Sequence, residues 1–190
     1  MLVHLRHYPD ALHAGLRIIT ESTRRFIEAA KQTGIAGVFY AIQHAQYGLL
    51  SVEEYIDFGR NYDMQVLEPA RDLWLNMLHL HGEDVMFDQV LHGVAGKDSP
   101  LPAAIVNWHD RDTAPSLSEA QGRFTGVLCG GLRRQETMVL GSPEQVQAEA
   151  VDAIQATGGQ KFILGTGCVL PIIAPYGNIM AARRSVEPGA

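Results

Sequence analysis

Cysteine is scarce: Cys129 and Cys168 are the only two in 190 residues. That excludes the disulfide framework of a small secreted domain and fits a reducing compartment. Basic runs are missing as well, since Arg133-Arg134 and Arg183-Arg184 are only pairs in a chain of formal net charge −6 and pI near 5.7. A surface that tracks phosphates is therefore not expected, nor is a nucleic-acid partner. No stretch approaches the roughly 20 apolar residues of a membrane span, and the start, "MLVHLRHYPDALHAGL", has no apolar run behind a basic leader. The sequence contains no glycine-rich phosphate cradle and no nucleophilic serine elbow, so nucleotide binding and serine hydrolysis have no support. The expectation is a soluble, cytoplasmic protein without a membrane partner.

What is present is an ordinary globular composition, 46% hydrophobic and 19% charged, enough for one domain spanning 1–190. Helical periods alternate with short apolar runs rich in β-branched and aromatic residues, which marks βα units. Pro9 suits the first turn of a helix running through "LRIITESTRRFIEAAKQTG", with Gly34 as its stop. Ser51 and Glu54 form a capping box for a helix through Asp57 and Tyr62. Ser142, Pro143 and Glu144 open another helix, with an apolar stripe of Val146, Ala150 and Ile154 and a stop at Gly158-Gly159. The strands read as "IAGVFYAI", "LWLNMLHLHG", "AAIVNWH", "FTGVLCGG" and "KFILGTG". None alternates cleanly, which predicts a parallel sheet buried on both faces. "GKDSPLP" and the tail "EPGA" read as turn-rich stretches. Five such units are fewer than a complete (β/α)₈ barrel requires.

In parallel α/β folds, chemistry collects where strands end. The five exits here carry Gln43-His44, His79 with His81, Trp108-His109-Asp110, Cys129 and Cys168. His79 and His81, two apart on a strand, point to one side of the sheet, and neutral imidazoles favour zinc. A Cys168 thiolate would complete three ligands and leave a fourth position open, the catalytic zinc arrangement. The plain alternative is a buried thiol and histidines bonded to nearby carbonyls. His109 and Asp110 are candidates for proton transfer, and Arg111 for gripping a substrate carboxylate, against an ion-pair loop satisfied within itself. Gln43 and His44 are candidates for reading a substrate's polar edge. Cys129 reads either as a ligand or redox thiol or, more plainly, as a small buried side chain. Tyr47, Tyr55, Phe58 and Tyr62 read as packing.

Taken in order, these exits resemble the C-terminal half of the uroporphyrinogen decarboxylase superfamily, from about "GIAGVFYAIQHAQYG" to "APYGNIMAARRSVE". The most specific parts are "LHLHG" and "ILGTGCVLPIIAPYGNI", the latter with a proline-bearing loop and an asparagine opening the last helix. The superfamily contains porphyrinogen decarboxylases and zinc-dependent methyltransferases that move a methyl group from a corrinoid to a thiol such as coenzyme M. The resemblance implies an α/β fold, a partial (β/α)₈ barrel of about five βα units. In the methyltransferase branch it implies His79 as the first zinc ligand, His81 where that branch has a cysteine, and Cys168 as the last ligand. The decarboxylases instead carry glycine-histidine-glycine where this chain has Gly165-Thr166-Gly167, and they lack the cysteine. Three functions follow as expectations: zinc-dependent methyl transfer from a methylated corrinoid held on a partner protein to a thiol, metal-free decarboxylation of a tetrapyrrole, or a non-catalytic half-barrel. For the short strand count the resemblance implies a truncated or split barrel, a homo-oligomer, or a subunit completed by a partner that supplies the missing half.

Overall fold

The computed structural model describes residues 1–93 and 100–187. "GKDSPLP" and "EPGA" fall partly outside the described residues. The order of elements is α1 (Leu2–His7), α2 (Pro9–Lys31), β1 (Phe39–Ile42), α3 (Val52–Tyr55), a π-helical turn (Ile56–Arg60) and α4 (Asn61–Leu67). A short 3₁₀ turn (Glu68–Ala70) leads to β2 (Met77–Leu80), α5 (Phe87–His92), β3 (Ile105–Trp108) and α6 (Leu117–Gln121). The chain continues through β4 (Val127–Leu132), α7 (Pro143–Thr157), β5 (Phe162–Thr166) and α8 (Tyr176–Arg184). The strands lie in one sheet in chain order, β1-β2-β3-β4-β5. Pairing is parallel from Ile105 opposite Val127 through Leu132 opposite Thr166. This is the α/β arrangement expected for part of a (β/α)₈ barrel.

By internal packing the chain divides into two compact units, Met1–Leu78 with Asp84–Ala104, and His79–Glu83 with Ile105–Ala190. The boundary falls inside β2.

In the first unit, α2 starts at Pro9 and Gly34 takes a φ of +80°, as its sequence position demands. Its buried Ile27 packs with Val66 and Ala70, and Val38, Tyr40 and Leu73 lie against them. The second strand run is shorter than its apolar pattern. Asn76, buried, donates to Ala70 O at 2.7 Å and accepts from Val38 N at 3.2 Å, so the chain before Met77 is held in a turn. The capping box is present, with Ser51 accepting from Glu54 N at 3.1 Å and Glu54 accepting from Ser51 N at 3.0 Å. The helix it opens is not continuous: the π turn inserts between α3 and α4. Such insertions re-aim side chains and are common at functional sites.

In the second unit, α7 is capped by Ser142 through Gln145 N and closed by Gly158 in the left-handed conformation. Val146 and Ala150 pack with Leu132, Met138 and Ala181. A third capping box, Ser116 with Glu119, starts α6; it has the same serine-x-x-glutamate spacing as Ser51 and Glu54.

Uniform burial of the sheet does not hold. β3 is buried throughout and β4 nearly so, whereas β1 and β5 carry exposed Phe39 and Ile163. These two strands end the sheet order among the described residues.

Candidate metal centre

Three strand ends of the second unit meet at one point. His79 is the third residue of β2, His81 follows its end, His109 follows β3, and Cys168 lies two residues beyond β5. One ligand-capable atom from each of the four lies within 4.8 Å of the other three. The ring centroids are 5.3 Å apart for His81 and His109, 5.7 Å for His79 and His81, and 6.1 Å for His79 and His109.

Each donor is aimed by a local device. His79 Nδ1 lies 2.6 Å from Asn107 Oδ1, and the Asn107 amide donates to Cys129 O at 2.9 Å and Thr166 O at 3.1 Å. Those two donations fix the amide so that its oxygen faces the imidazole. His79 therefore carries its proton on Nδ1, and Nε2 is the nitrogen with the lone pair. On the far side of the site, Thr166 Oγ1 donates to Cys168 O at 2.6 Å and folds the chain just past β5. Gly167 makes the approach feasible. A Cβ there would meet Trp108 O at 2.7 Å and His109 Cα at 2.8 Å, too close for any side chain. The glycine thus lets the β5 exit lie against the β3 exit, which carries Cys168 toward His109.

Two observations test whether a metal fits. His109 Nε2 is buried without a hydrogen-bond partner, a state that protein interiors rarely tolerate. Cys168 Sγ and His81 Nδ1 are 3.6 Å apart. Zinc–sulfur and zinc–nitrogen bonds of about 2.3 and 2.0–2.1 Å at a tetrahedral angle give an edge of about 3.6 Å. Three imidazoles and one thiol are borderline-soft donors suited to zinc, and the residues present fit such an ion. The cleft beside His109 and Cys168 has a volume near 10 Å³, the scale of a single water-sized occupant.

Burial holds His79 and His109 below the usual histidine range, and their imidazole neighbours add to the effect. The neutral form is the one that ligates. His109 Nδ1 has a looser anchor than His79, with Asp112 Oδ2 at 3.7 Å.

The remaining candidates are placed as follows. Asp110 is buried, and both its carboxylate oxygens accept from Gly131 N, at 3.0 and 3.1 Å. Burial pushes its carboxyl up to about 6, against the pull of that amide. It pins the β3 exit to β4. The Arg111 fork is committed within the protein: Nε to Gly131 O at 3.0 Å, one terminal nitrogen to Asp152 at 2.6 Å and the other to Glu149 O at 3.0 Å. Its partners lie on β4 and α7 and not within the His109–Asp112 loop, so the guanidinium is engaged by the protein itself. Cys129 is buried, stands outside the four-donor group, and has its thiol pushed up to about 11 by burial and then by Asp110. Gln43 and His44 belong to the first unit, at the exit of β1, where they line a separate cavity.

Sequence reasoning assigned His109 to proton transfer and did not group it with His79, His81 and Cys168, beside which the structure places it. Every other histidine of the group was already tied to a strand end, and its own position one residue after β3 was the available signal. The fixing role of Asn107 was missed entirely, because a buried asparagine in an apolar run carries no motif.

Among the described residues, no helix is long and apolar enough to cross a membrane. No curated protein matches the chain. Among solved structures it is similar to a methyltransferase from Methanosarcina mazei, with 19% identity and a TM-score of 0.74 over 94% of this chain. That alignment takes in 50% of the methyltransferase, so the chain spans about half the length of that protein. A family model described as uroporphyrinogen decarboxylase (URO-D) matches residues 1–188. With the βα order and the His/Cys cluster at the strand exits in place, the chain belongs to the uroporphyrinogen decarboxylase family.

Proposed function

We propose that His79, His81, His109 and Cys168 hold a zinc ion, and that the site serves methyl transfer from a methylated corrinoid, carried by a partner protein, to a thiol. The observation that carries this reading is the convergence of four donors with one imidazole nitrogen, His109 Nε2, buried and unpartnered. Zinc in such a site supplies Lewis acidity that favours the thiolate form of a bound thiol near neutral pH.

The chain's own residues divide the remaining work. His79 is the rigid member, since Asn107 holds its ring through a 2.6 Å contact. Cys168 contributes the one anionic donor, on a turn fixed by Thr166. His109 would be the fourth residue to hold the ion, with Asp112 Oδ2 3.7 Å behind its Nδ1. When not holding the ion, His109 Nε2 would be placed to accept the proton a thiol gives up, and Asp112 would stabilise the imidazolium. Asp110 is a positioning residue that keeps His109 in register through Gly131.

Metal analysis of the purified protein is the test. The expected result is about one zinc per chain in wild type and almost none in Cys168→Ala. Absence of zinc from wild type, or full retention by the variant, overturns the proposal. So does a tetrapyrrole decarboxylase activity that survives chelation.

A further inference from the structure

Within the first unit, a cavity of about 190 Å³ opens at the exit of β1, with Gln43, His44, Tyr55, Phe58, Gly59 and Asp63 in its wall. It runs from exposed Gln43 inward to Tyr55, which is 1% exposed. The zinc reading leaves this cavity without a role.

Its inner end is built around one carboxylate. Asp63 Oδ1 accepts from Tyr40 OH at 2.7 Å, and Oδ2 accepts from Tyr55 OH at 3.3 Å. A carboxylate has about four acceptor positions, so two tyrosines leave capacity on the cavity side. Both tyrosines spend their hydroxyl protons on Asp63, so the oxygen that the lining residue Tyr55 presents is an acceptor too. No lysine or arginine side chain is among the lining residues, and the cation nearest the cavity mouth is the amino terminus of the lining residue Met1. Arg60, one turn away, sends Nε to Gln89 O at 2.9 Å and a terminal nitrogen to Met64 Sδ at 3.0 Å. The π turn Ile56–Arg60 contributes Phe58 and Gly59 to the wall, and Phe58 and Tyr55 give it aromatic surface. Negative oxygen acceptors at the end of an aromatic pocket recognise an organic cation. A cavity of about 150 Å³ can hold benzene, which sets the scale of the occupant.

We infer that the β1-exit cavity is a binding site for a small protonated amine, with Asp63 as its anionic anchor and Tyr55 and Phe58 as its aromatic wall. The site is independent of the zinc cluster in every residue it uses.

Burial pushes the Asp63 carboxyl up to about 6, even though Tyr40, Tyr55 and Arg60 all favour its ionised form. An ammonium ion favours that ionised form as well, so binding tightens as pH rises through this value. Tyr40 from β1, Tyr55 from α3, Arg60 from the π turn, His44 from the β1 exit and the amino terminus at Met1, which is in the cavity lining, are titratable groups around the carboxylate. On α2, which packs against α4, His13 is bonded to Tyr62 at 2.7 Å and lies 3.5 Å from Asp57.

The test is calorimetric titration of the full chain with three probes of one shape and different charge: benzylammonium, benzyl alcohol and benzoate. Benzylammonium should bind at least about tenfold more tightly than either of the others at pH 7.5. That preference should shrink toward parity at pH 5 in wild type and vanish at pH 7.5 in Asp63→Asn. Equal binding of all three probes, preference for benzoate, or an unchanged preference in Asp63→Asn overturns the inference. The pH arm uses wild type only, so a variant that misfolds does not protect the idea. Zinc content measured on the same samples separates failure here from failure of the metal site.

Discussion

The exit of β1 and the exits of β2, β3 and β5 come from the same backbone geometry, yet they carry opposite donor chemistry. In the second unit three imidazoles and a thiol converge, all neutral or soft donors, and one nitrogen among them is buried without a partner. In the first unit a carboxylate and two phenols converge, with hard oxygen acceptors facing a cavity large enough for an organic group. The contrast shows that strand exits bring side chains together while saying little about what those side chains will bind. Ligand class is decided by donor type and by the space left between donors. A few ångströms between nitrogen and sulfur suit an ion. A volume of about 190 Å³ next to a carboxylate suits a molecule.

The sharpest way to break the comparison is to remove each site's anionic donor and measure the other site. Cys168→Ala should abolish stoichiometric zinc while leaving the benzylammonium preference intact. Asp63→Asn should do the reverse. Cys129→Ala, which removes a buried thiol outside the four-donor group, should keep its zinc. Cobalt substitution gives an independent reading, since a sulfur-to-cobalt charge-transfer band should be present in Cys129→Ala and absent in Cys168→Ala.

The next largest effect is expected at Asn107. It touches no metal, but it fixes the tautomer of His79 and closes two backbone carbonyls. Asn107→Ala should weaken zinc binding by about 10–100-fold, the usual cost of losing a partner behind a ligating histidine. Competition with a chromophoric chelator would measure it on protein whose circular dichroism shows it folded. An unchanged affinity would mean that packing alone orients the imidazole.

The two sites differed in how much of them was legible in the sequence. The meeting of His79, His81 and Cys168 was largely so, because His79 and His81 alternate on a strand and Cys168 follows a glycine-rich exit, all regular positions whose directions are set by backbone period. The fourth member, His109, was hidden in a competing role, as proton carrier, that uses the same imidazole. The oxygen site was not legible. Tyr55 and Asp63 are eight residues apart, and a continuous α-helix would rotate them by about 80° relative to each other. The π turn between them changes that relation, and no residue of "IDFGR" announces such a turn. Fold class was readable from the alternation of apolar runs and caps. Strand length was not, because Trp74 and Leu75 extend an apolar pattern that the Asn76 side chain cuts off.

Smaller effects sharpen the energetics of the oxygen site. The Asp63 carboxyl sits near 6 in the folded chain, above the ordinary unfolded value of about 3.9. Between those values the folded state holds more protons than the unfolded one, so Asp63 makes stability fall as pH rises from about 4 to about 6. Asp63→Asn removes that dependence. Relative to the variant, wild type should lose on the order of 2 kcal/mol across the interval. Urea unfolding of both proteins at pH 4.5 and pH 7 measures the difference, and parallel pH profiles would mean that the carboxylate is already ionised in the empty cavity.

The smallest effect should separate stability from either site. Ser142 caps α7 by accepting from Gln145 N at 3.3 Å, while Gln145 accepts from Ser142 N at 2.8 Å. Helix α7 packs against β4 and β5 through its buried Val146, Ala150 and Ala153, and none of its residues belongs to the metal cluster or to the β1 cavity. Ser142→Ala leaves one amide of the first turn without its side-chain acceptor and should cost about 1 kcal/mol in urea unfolding. Zinc content and the amine preference should both be unchanged. If zinc were lost from this variant as from Cys168→Ala, metal retention would be reporting the soundness of the second unit rather than the donors themselves, and the donor-by-donor contrast between the two sites would have to be rebuilt from spectroscopy.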